Sequence, residues 1–197
     1  MKTWEINGQT LEYIDGMHLY VLDGIIVPSI TGILSKKFGR KYDGVDRAVL
    51  QRAADAGTAV HEAIEKLCKT GEVTDLPEVK NFLWLQKQYE FSVVDNEVPV
   101  ILSIDGKPCA AGRLDMVLLM DGESGLADIK RTSVLDKEYV AYQLNLYRIA
   151  FQQSYGVEIK FLRALHLRED VRKFVKIPIN ENLALQLVKD YMEDRYE

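Results

Sequence analysis

The sequence predicts an α/β protein of the α+β kind, in which a central mixed β-sheet is flanked by helices and preceded by an N-terminal β-hairpin extension. Three β-like segments, near 92–103, 109–120 and 125–131, follow one another as a meander. The order α, β, β, β, α, β along the chain is typical of a mixed sheet wrapped by helices. The length of 197 residues, with 47% of them apolar, suffices for one domain with a proper core.

The N-terminal part, residues 1–45, is predicted to be a β-rich extension packed on a core of residues 46–197. Short β-prone runs alternate there with two Asp-Gly pairs, which suit tight hairpins. These pairs are Asp15-Gly16 and Asp23-Gly24. A short helix is predicted after Pro28, and the whole chain is expected to form a single domain.

The first long helix of the core is predicted from about Asp46 to Lys69. Apolar residues recur at helical spacing along this segment, namely Val49, Ala53, Ala56, Val60, Ile64 and Leu67. Gly57 lies among them and costs roughly 1 kcal/mol of helix propensity. A glycine there indicates close packing or the close approach of another group.

The other elements of the core follow from similar signals. The pair Asp121-Gly122 predicts a hairpin turn between the second and third strands. Asp136 suits the N-cap of a helix that ends near Tyr155, before Gly156. The remaining predictions are a helix from Pro77 to about Phe91, strands near 158–167 and 171–178, and a final helix from about Asn180.

The first residues, the apolar segments and the cysteine spacing together predict the cellular location. The first ten residues lack a basic start followed by an apolar run, and no segment has the roughly 18 apolar residues of a spanning helix, so no membrane association is expected. Cys68 and Cys109 have no CxxC spacing, which indicates neither a disulfide framework nor a zinc or iron–sulfur site. A cytoplasmic location is therefore predicted.

Two basic clusters stand out against a net charge of −5, and each is either ordinary solvated surface or a phosphate-binding region. The first cluster contains Lys36, Lys37, Arg40, Lys41, Arg47 and Arg52. The second contains Lys160, Arg163, Arg168, Arg172, Lys173 and Lys176.

The stretch GLADIKRTS carries a candidate site. Asp128 and Lys130 share one face of the predicted strand, and buried charges must be paired or bound to something. Asp115, in AGRLD on the preceding strand, is expected to lie in the same neighbourhood after antiparallel pairing. Two carboxylates need a cation, which could be Lys130 alone, in a cross-strand ion pair, or a divalent metal such as Mg²⁺ or Mn²⁺.

Two helices add polar pairs at a spacing of four residues, which places each pair on one helix face. His61 and Glu65 form one pair, and Gln143 and Tyr147 form the other; each alone could be an ordinary helix position. Together, the motifs GTAVH, GRLD, DIK and QLNLY, in this order, resemble the PD-(D/E)XK nuclease superfamily. The resemblance spans about Arg52 to Tyr147 and is strongest to the RecB-like branch, in particular to phage exonucleases of the RecE type.

The resemblance implies a restriction-endonuclease-like core and assigns roles to matching residues. The implied metal ligands are His61, Glu97, Asp115, Asp128 and the backbone carbonyl of Ile129, with Mg²⁺ or Mn²⁺ as cofactor. The implied catalytic residues are Lys130, Asp128, Asp115 and Gln143, and the implied nucleic-acid-binding residues are Tyr147, Arg52 and Arg131. Asp128 stands where many members have glutamate, and the four-cysteine set of the iron–sulfur subgroup is absent.

The function expected from this resemblance is metal-dependent hydrolysis of linear duplex or single-stranded DNA by an exonuclease, in phage or prophage recombination or DNA processing. By the same analogy, a ring-shaped homo-oligomer and a single-strand annealing partner are expected. Two alternatives stay open: a non-catalytic nucleic-acid-binding module on the same fold, and a structure-specific endonuclease. The sequence has no GxxxxGK[ST] loop, so no helicase motor is expected.

Overall fold

The computed structural model describes residues 1–39 and 44–196, which form two β-sheets and five α-helices. The first sheet is an antiparallel meander of β1 (Lys2–Ile6), β2 (Gln9–Ile14), β3 (Leu19–Leu22) and β4 (Ile25–Val27). Arg40 and Lys41 of the first basic cluster lie outside the described residues.

Turn chemistry explains the hairpins of this first sheet. Asp23 and Gly24 both have positive φ, 49° and 80°, and form the predicted two-residue turn between β3 and β4. Asp15-Gly16 instead belongs to a short 3₁₀ turn between β2 and β3, which makes a longer connection. Asn7-Gly8 joins β1 to β2; the sequence analysis passed over this pair, although Asn-Gly is a strong hairpin signal.

The second sheet has the strand order β5-β6-β7-β8-β9. Its strands are β5 (Ser92–Ile104), β6 (Lys107–Met120), β7 (Glu123–Lys130), β8 (Phe161–Leu167) and β9 (Arg172–Ile177). The helices are α1 (Ile30–Phe38), α2 (Arg47–Thr70), α3 (Pro77–Tyr89), α4 (Lys137–Tyr155) and α5 (Glu181–Tyr196). Because β7 and β8 are parallel and the other neighbours antiparallel, the prediction of a mixed sheet in an α+β fold is confirmed.

Capping side chains set the ends of the two helices that matter most for the site. Asp46 accepts hydrogen bonds from Ala48 N and Val49 N at the start of α2. Asp136 accepts one from Tyr139 N at the start of α4, and Gly156 ends that helix with a φ of 69°. Asp136 and Gly156 have the predicted roles, whereas Asp46, predicted as the approximate start of α2, is its N-cap; both helices begin within one residue of their predicted starts.

Helices cover both faces of the second sheet. On β7, Leu126 packs in a core with residues of α1, α4 and α5, whereas Ala127 and Ile129 pack in a second core with residues of α2 and α3. Asp128 therefore points to the α4 side, as alternation along a strand requires. None of the described helices is long and apolar enough to cross a membrane.

We expect Gly125→Ala to destabilise the fold by about 1–3 kcal/mol through overpacking. A methyl group at Gly125 would lie 2.1–2.3 Å from three ring atoms of Phe161 on the neighbouring strand, so the ring would have to move. Chemical denaturation measures the change. The double variant Gly125→Ala/Phe161→Leu is the control, since the smaller side chain should recover part of the loss relative to Phe161→Leu alone, and strict additivity would contradict the clash.

Candidate functional site

Between β6 and β7, a side-chain carboxylate takes the place of a backbone carbonyl as a hydrogen-bond acceptor. Their pairing ends where Met116 lies opposite Ala127. At the next position, Asp115 Oδ2 accepts a hydrogen bond of 2.7 Å from the backbone N–H of Ile129. Asp115 is thus attached to the strand that carries Asp128, and the two carboxylates come together as the hairpin turn predicts.

Both long strands change face at this point. On β6, Leu114 packs in the core on the α4 side, whereas Met116 packs in the core on the α2–α3 side, although regular alternation would place both on one face. On β5, the opposite residue is Glu97, whose φ of 55° is rare for a side chain with a Cβ. Asp115 and Glu97 therefore lie at an irregularity shared by the two strands.

Asp128 and Lys130 form a nearly buried ion pair on β7. Lys130 Nζ lies 2.6 Å from Asp128 Oδ2, and the Asp128 side chain is only 3% exposed. Burial lowers the pKa of Lys130, but the carboxylates of Asp128 and Asp115 more than offset it, so that the pKa lies above its ordinary value. The ammonium form is thereby favoured.

His61 reaches the same strands from α2. On the same helix, Val60 and Ile64 are buried against the sheet, which brings the His61 imidazole to the end of β7. His61 Nε2 lies 3.2 Å from the carbonyl oxygen of Ile129, and Nδ1 lies 3.6 Å from Asp115 Oδ2. Burial raises the pKa of Asp115, while the His61 charge and the Ile129 N–H act in the opposite direction.

Glu97 completes a group of possible ligands. One ligand atom from each of His61, Glu97 and Asp115 lies within 4.8 Å of the others. Burial raises the pKa of Glu97, whereas the guanidinium of Arg113, which pairs with its Oε2, acts to lower that pKa. The ring of Tyr13 lies 5.4 Å from Arg113 Cζ, so the N-terminal sheet contacts the residue that holds Glu97.

The donor set and the space between the donors fit a divalent cation. A pocket of about 10 Å³ lies among His61, Glu65, Glu97, Asp115 and Ile129, with Asn96 and Met116 completing its wall. Two carboxylates and an imidazole suit Mn²⁺ as well as Mg²⁺, because imidazole is a ligand of transition metals and carboxylates are ligands of both ions. Asp128 is not among the three clustered ligands, since its Oδ2 faces Lys130.

A polar stripe on α4 faces the charged strands. Tyr139, Gln143 and Tyr147 follow one another at intervals of four residues. The Tyr139 ring lies 5.7 Å from Lys130 Nζ, and Asp115 and Asp128 add to the burial that raises the pKa of Tyr147. Gln143 is 5% exposed, and among the described residues its buried Oε1 has no hydrogen-bond donor, so this acceptor is available to a ligand.

The Tyr147 ring packs on the backbone of β6. A Cβ at Gly112 would lie 2.9 Å from Tyr147 Cε1, so only glycine lets this tyrosine approach the strand. Gly112 is the first residue of the GRLD motif, and Asp115 is the last. The glycine of that motif therefore has a packing role that brings α4 close to the carboxylates.

Two cavities meet at Lys130. A groove of about 680 Å³ runs beside α2 and is lined by Gly57, His61, Ile129, Lys130, Arg131 and Arg168, among others. A cavity of about 420 Å³ lies between α1 and α4 and is lined mainly by Ser35, Phe38, Lys130, Thr132, Asp136 and Tyr139. Lys130, Thr132 and Asp136 line both, so the two cavities share a wall at Lys130.

Most of the sequence-predicted site residues come together here. His61, Glu97, Asp115, Asp128, Ile129 and Lys130 form the charged centre, with Tyr147 packed beside it. Arg131 lines the groove, but its Nε donates to the buried Glu78 at 2.7 Å. Arg52 is exposed on α2, roughly 200° around the helix from the groove-lining Leu50, and lies apart from the others.

Arg113 and Tyr139 were not among the site residues predicted from the sequence. Arg113 is two residues before Asp115, where a charged residue inside a predicted strand would have justified attention. Tyr139 is one helical turn before Gln143. The contribution of Tyr13 from the N-terminal sheet had no local signal, because its contact with Arg113 spans 100 positions along the chain.

Comparisons with known proteins bear on the fold alone. No protein-family model matches the chain, and no curated protein matches it. The crystal structure of SSO0001 is similar to this chain, with a TM-score of 0.50 and 15% sequence identity over 86% of this chain and 76% of that chain. At this identity, the similarity supports the mixed α/β arrangement and carries no statement about activity.

We expect Mg²⁺ or Mn²⁺ to stabilise the protein and Asp115→Asn to remove this effect. An ion that binds only the folded state at 100 times its Kd adds about 2.7 kcal/mol, or roughly 5–10 °C in Tm for a chain of this size. The measurement is thermal unfolding with the ion or with EDTA. Asp121→Asn is the matched control, because it makes the same change in a hairpin turn where asparagine tolerates the φ of 53°. An equal shift in both variants would speak against this site.

Proposed function

We propose that the protein is a metal-dependent DNA exonuclease of the PD-(D/E)XK superfamily, close to its RecB-like, phage-type branch. In this proposal, the second sheet with α2, α3 and α4 is the restriction-endonuclease-like core. The observation that carries it is the meeting of Asp115 on β6 with Asp128 and Lys130 on β7, beside His61 of α2. The motif resemblance supplies the chemistry, since the comparisons name no activity.

The ligand set supports phosphodiester hydrolysis. The chemistry that Mg²⁺ or Mn²⁺ supplies when bound is Lewis acidity toward a phosphate oxygen and a lowered pKa of water. His61, Glu97 and Asp115 would hold such an ion, with the Ile129 carbonyl next to His61 as a further oxygen. The proposed ion is either of these two, because the set combines an imidazole with carboxylates.

Lys130 would act on the phosphate as a fixed positive charge. Asp128 holds its ammonium at 2.6 Å, and the nearby carboxylates of Asp128 and Asp115 raise the pKa of Lys130. An ammonium held in place can stabilise the negative charge that develops on the non-bridging oxygens during hydrolysis. Gln143 is one helical turn from both Tyr139 and Tyr147. Its side-chain Oε1 has no hydrogen-bond donor among the described residues, so it would orient a group beside Lys130.

The groove supports DNA as the substrate. It passes Lys130 and His61, and its wall carries the basic residues Arg131 and Arg168. A strand lying there would bring a phosphate to the charged centre and its terminal residue toward the 420 Å³ cavity. The ring-shaped oligomer and the strand-annealing partner stay predictions from the resemblance.

The test is degradation of end-labelled linear duplex and single-stranded DNA, beside a closed circle, with Mg²⁺, Mn²⁺ or EDTA. Metal-dependent loss of linear DNA, reduced at least about 100-fold in Lys130→Ala, is expected because a fixed charge beside the phosphate is removed. Lys107→Ala, which changes an exposed lysine at the start of β6, is the control and should cut normally.

Other outcomes favour the alternatives. Cutting of the closed circle would favour a structure-specific endonuclease. A well-folded protein that binds DNA without cutting it under any of these metal conditions would favour the non-catalytic binding module. In that case the ion pair of Asp128 and Lys130 would be structural.

We expect Gly57→Leu to raise stability and to weaken DNA cutting. A Cβ at Gly57 would have no neighbour within 4 Å, and the residue lines the groove, so a leucine side chain would begin in open space and extend into the groove. Leucine gains about 0.5–1 kcal/mol of helix propensity over glycine. Denaturation and the cutting assay measure the two effects. Ala59→Leu on the exposed side of α2 is the control; cutting that is equally weak in both variants would contradict a substrate role for the groove.

A further inference from the structure

Three arginines lie in a row along one edge of the second sheet. Arg131 follows Lys130 at the end of β7, and Arg168 follows Leu167 at the end of the parallel β8. Arg172 begins β9, directly opposite Leu167. Because neighbouring strands are about 4.8 Å apart, the three residues span roughly 10 Å, starting next to Lys130.

Helix α3 holds each member of this arginine row. Glu78, Asn81 and Trp84 follow one another at intervals of three residues, about one per helical turn. The Glu78 carboxylate accepts from Arg131 Nε at 2.7 Å, and Asn81 Nδ2 donates to the backbone carbonyl of Arg168 at 2.7 Å. The guanidinium of Arg172 stacks on the Trp84 ring, with Cζ 4.1 Å from its centroid.

Although α3 contacts all three arginines, two of them keep a positive charge that no buried carboxylate neutralises. Within the described residues, Arg172 makes no ion pair, and Arg168 has only Asp170 at 3.9 Å, whose side chain is 78% exposed. Arg131 alone is neutralised by a buried partner, since the Glu78 side chain is 4% exposed. A guanidinium stacked on a ring keeps its N–H donors available for an anion.

We propose that the arginine row binds successive phosphates of a DNA strand whose reacting phosphate lies at Lys130. Arg131 and Arg168 line the same groove as Lys130 and His61, and Arg172 lies beyond the groove on the next strand, opposite Leu167. The backbone positions of the row span roughly 10 Å, a length over which one DNA strand presents about three phosphates, and Arg168 and Arg172 supply the charges that no buried carboxylate neutralises. The ligand is therefore a phosphodiester backbone read without base contacts.

The inference rests on the proposed function only in taking DNA as the ligand. It adds the direction in which the strand leaves the charged centre, toward β9 rather than toward β5. It also gives α3 a role as the positioning helix of a phosphate track.

The test is DNA binding in EDTA, where no cutting interferes. Anisotropy of a labelled 20-nucleotide single strand and of the corresponding duplex is followed between 50 and 200 mM salt. Arg168→Ala and Arg172→Ala should each bind several-fold more weakly and lower the slope of log Kd against log salt by about one, and the double variant by about two. Arg131 is left intact, because its loss would leave Glu78 buried without a partner.

Lys173→Ala is the matched control. It removes the same charge from the adjacent position of β9, whose side chain points to the opposite face, so affinity and salt slope should stay unchanged. Trp84→Leu keeps all charges but removes the ring that holds Arg172, and should weaken binding as Arg172→Ala does. Unchanged thermal midpoints confirm that the variants are folded.

The outcomes separate this inference from the proposed function. Normal cutting with unaltered binding in the arginine variants, or equal losses in Lys173→Ala, would overturn the phosphate track and leave the nuclease proposal intact. Binding that depends on Arg168 and Arg172 without any metal-dependent cutting would uphold the track and count against the nuclease. Binding of polyglutamate, but not DNA, through these arginines would overturn the track in favour of an acidic protein.

Discussion

The hydrogen bond from the Ile129 N–H to the Asp115 carboxylate is the interaction on which the candidate site depends. In an uninterrupted ladder, that N–H would have a backbone partner and Asp115 would need another means of leaving water. Here the side chain satisfies the backbone, and the two strands part so that ligands from both open onto one space. Three other site residues lie around this hydrogen bond. His61 and Glu97 lie next to Asp115, and Lys130 is the residue after Ile129 on the same strand.

The carboxylates at this junction outnumber the positively charged side chains, which favours the binding of a further cation. Asp115, Glu97 and Asp128 bring three carboxylates, whereas Lys130 and Arg113 bring two permanent cations. Burial raises the pKa values of Asp115 and Glu97, which means that their charged forms are incompletely compensated by the protein. A divalent ion is the natural counter-charge for such a group, and a pocket of about one water's size lies among its ligands.

The sequence predicted features that depend on residues close together in the chain, and few of those that depend on residues far apart. Capping at Asp46 and Asp136, and the turn at Asp121-Gly122, depend on residues close in sequence, so helix starts and the central hairpin were predictable. The positive φ of Glu97 was not, because glutamate gives no local sign of it and β5 adopts it only opposite Asp115. The support of Arg172 by Trp84 likewise joins residues far apart in the chain. Within the site, the motif residues were found, whereas their supporting contacts needed the fold.

The contact between the N-terminal sheet and Arg113 has a thermodynamic consequence. Tyr13 lies against the guanidinium that pairs with Glu97, and Tyr20, Ile101 and Ala111 share the small core that joins the sheet to β5 and β6. In the proposal that His61, Glu97 and Asp115 hold an ion, binding of that ion and docking of this sheet would share one linkage free energy. By reciprocity, whatever tightens the docking raises affinity for the ion by the same factor, and a bound ion holds the sheet in place equally. The N-terminal sheet is therefore a structural neighbour of the candidate ion site, held to it through Arg113.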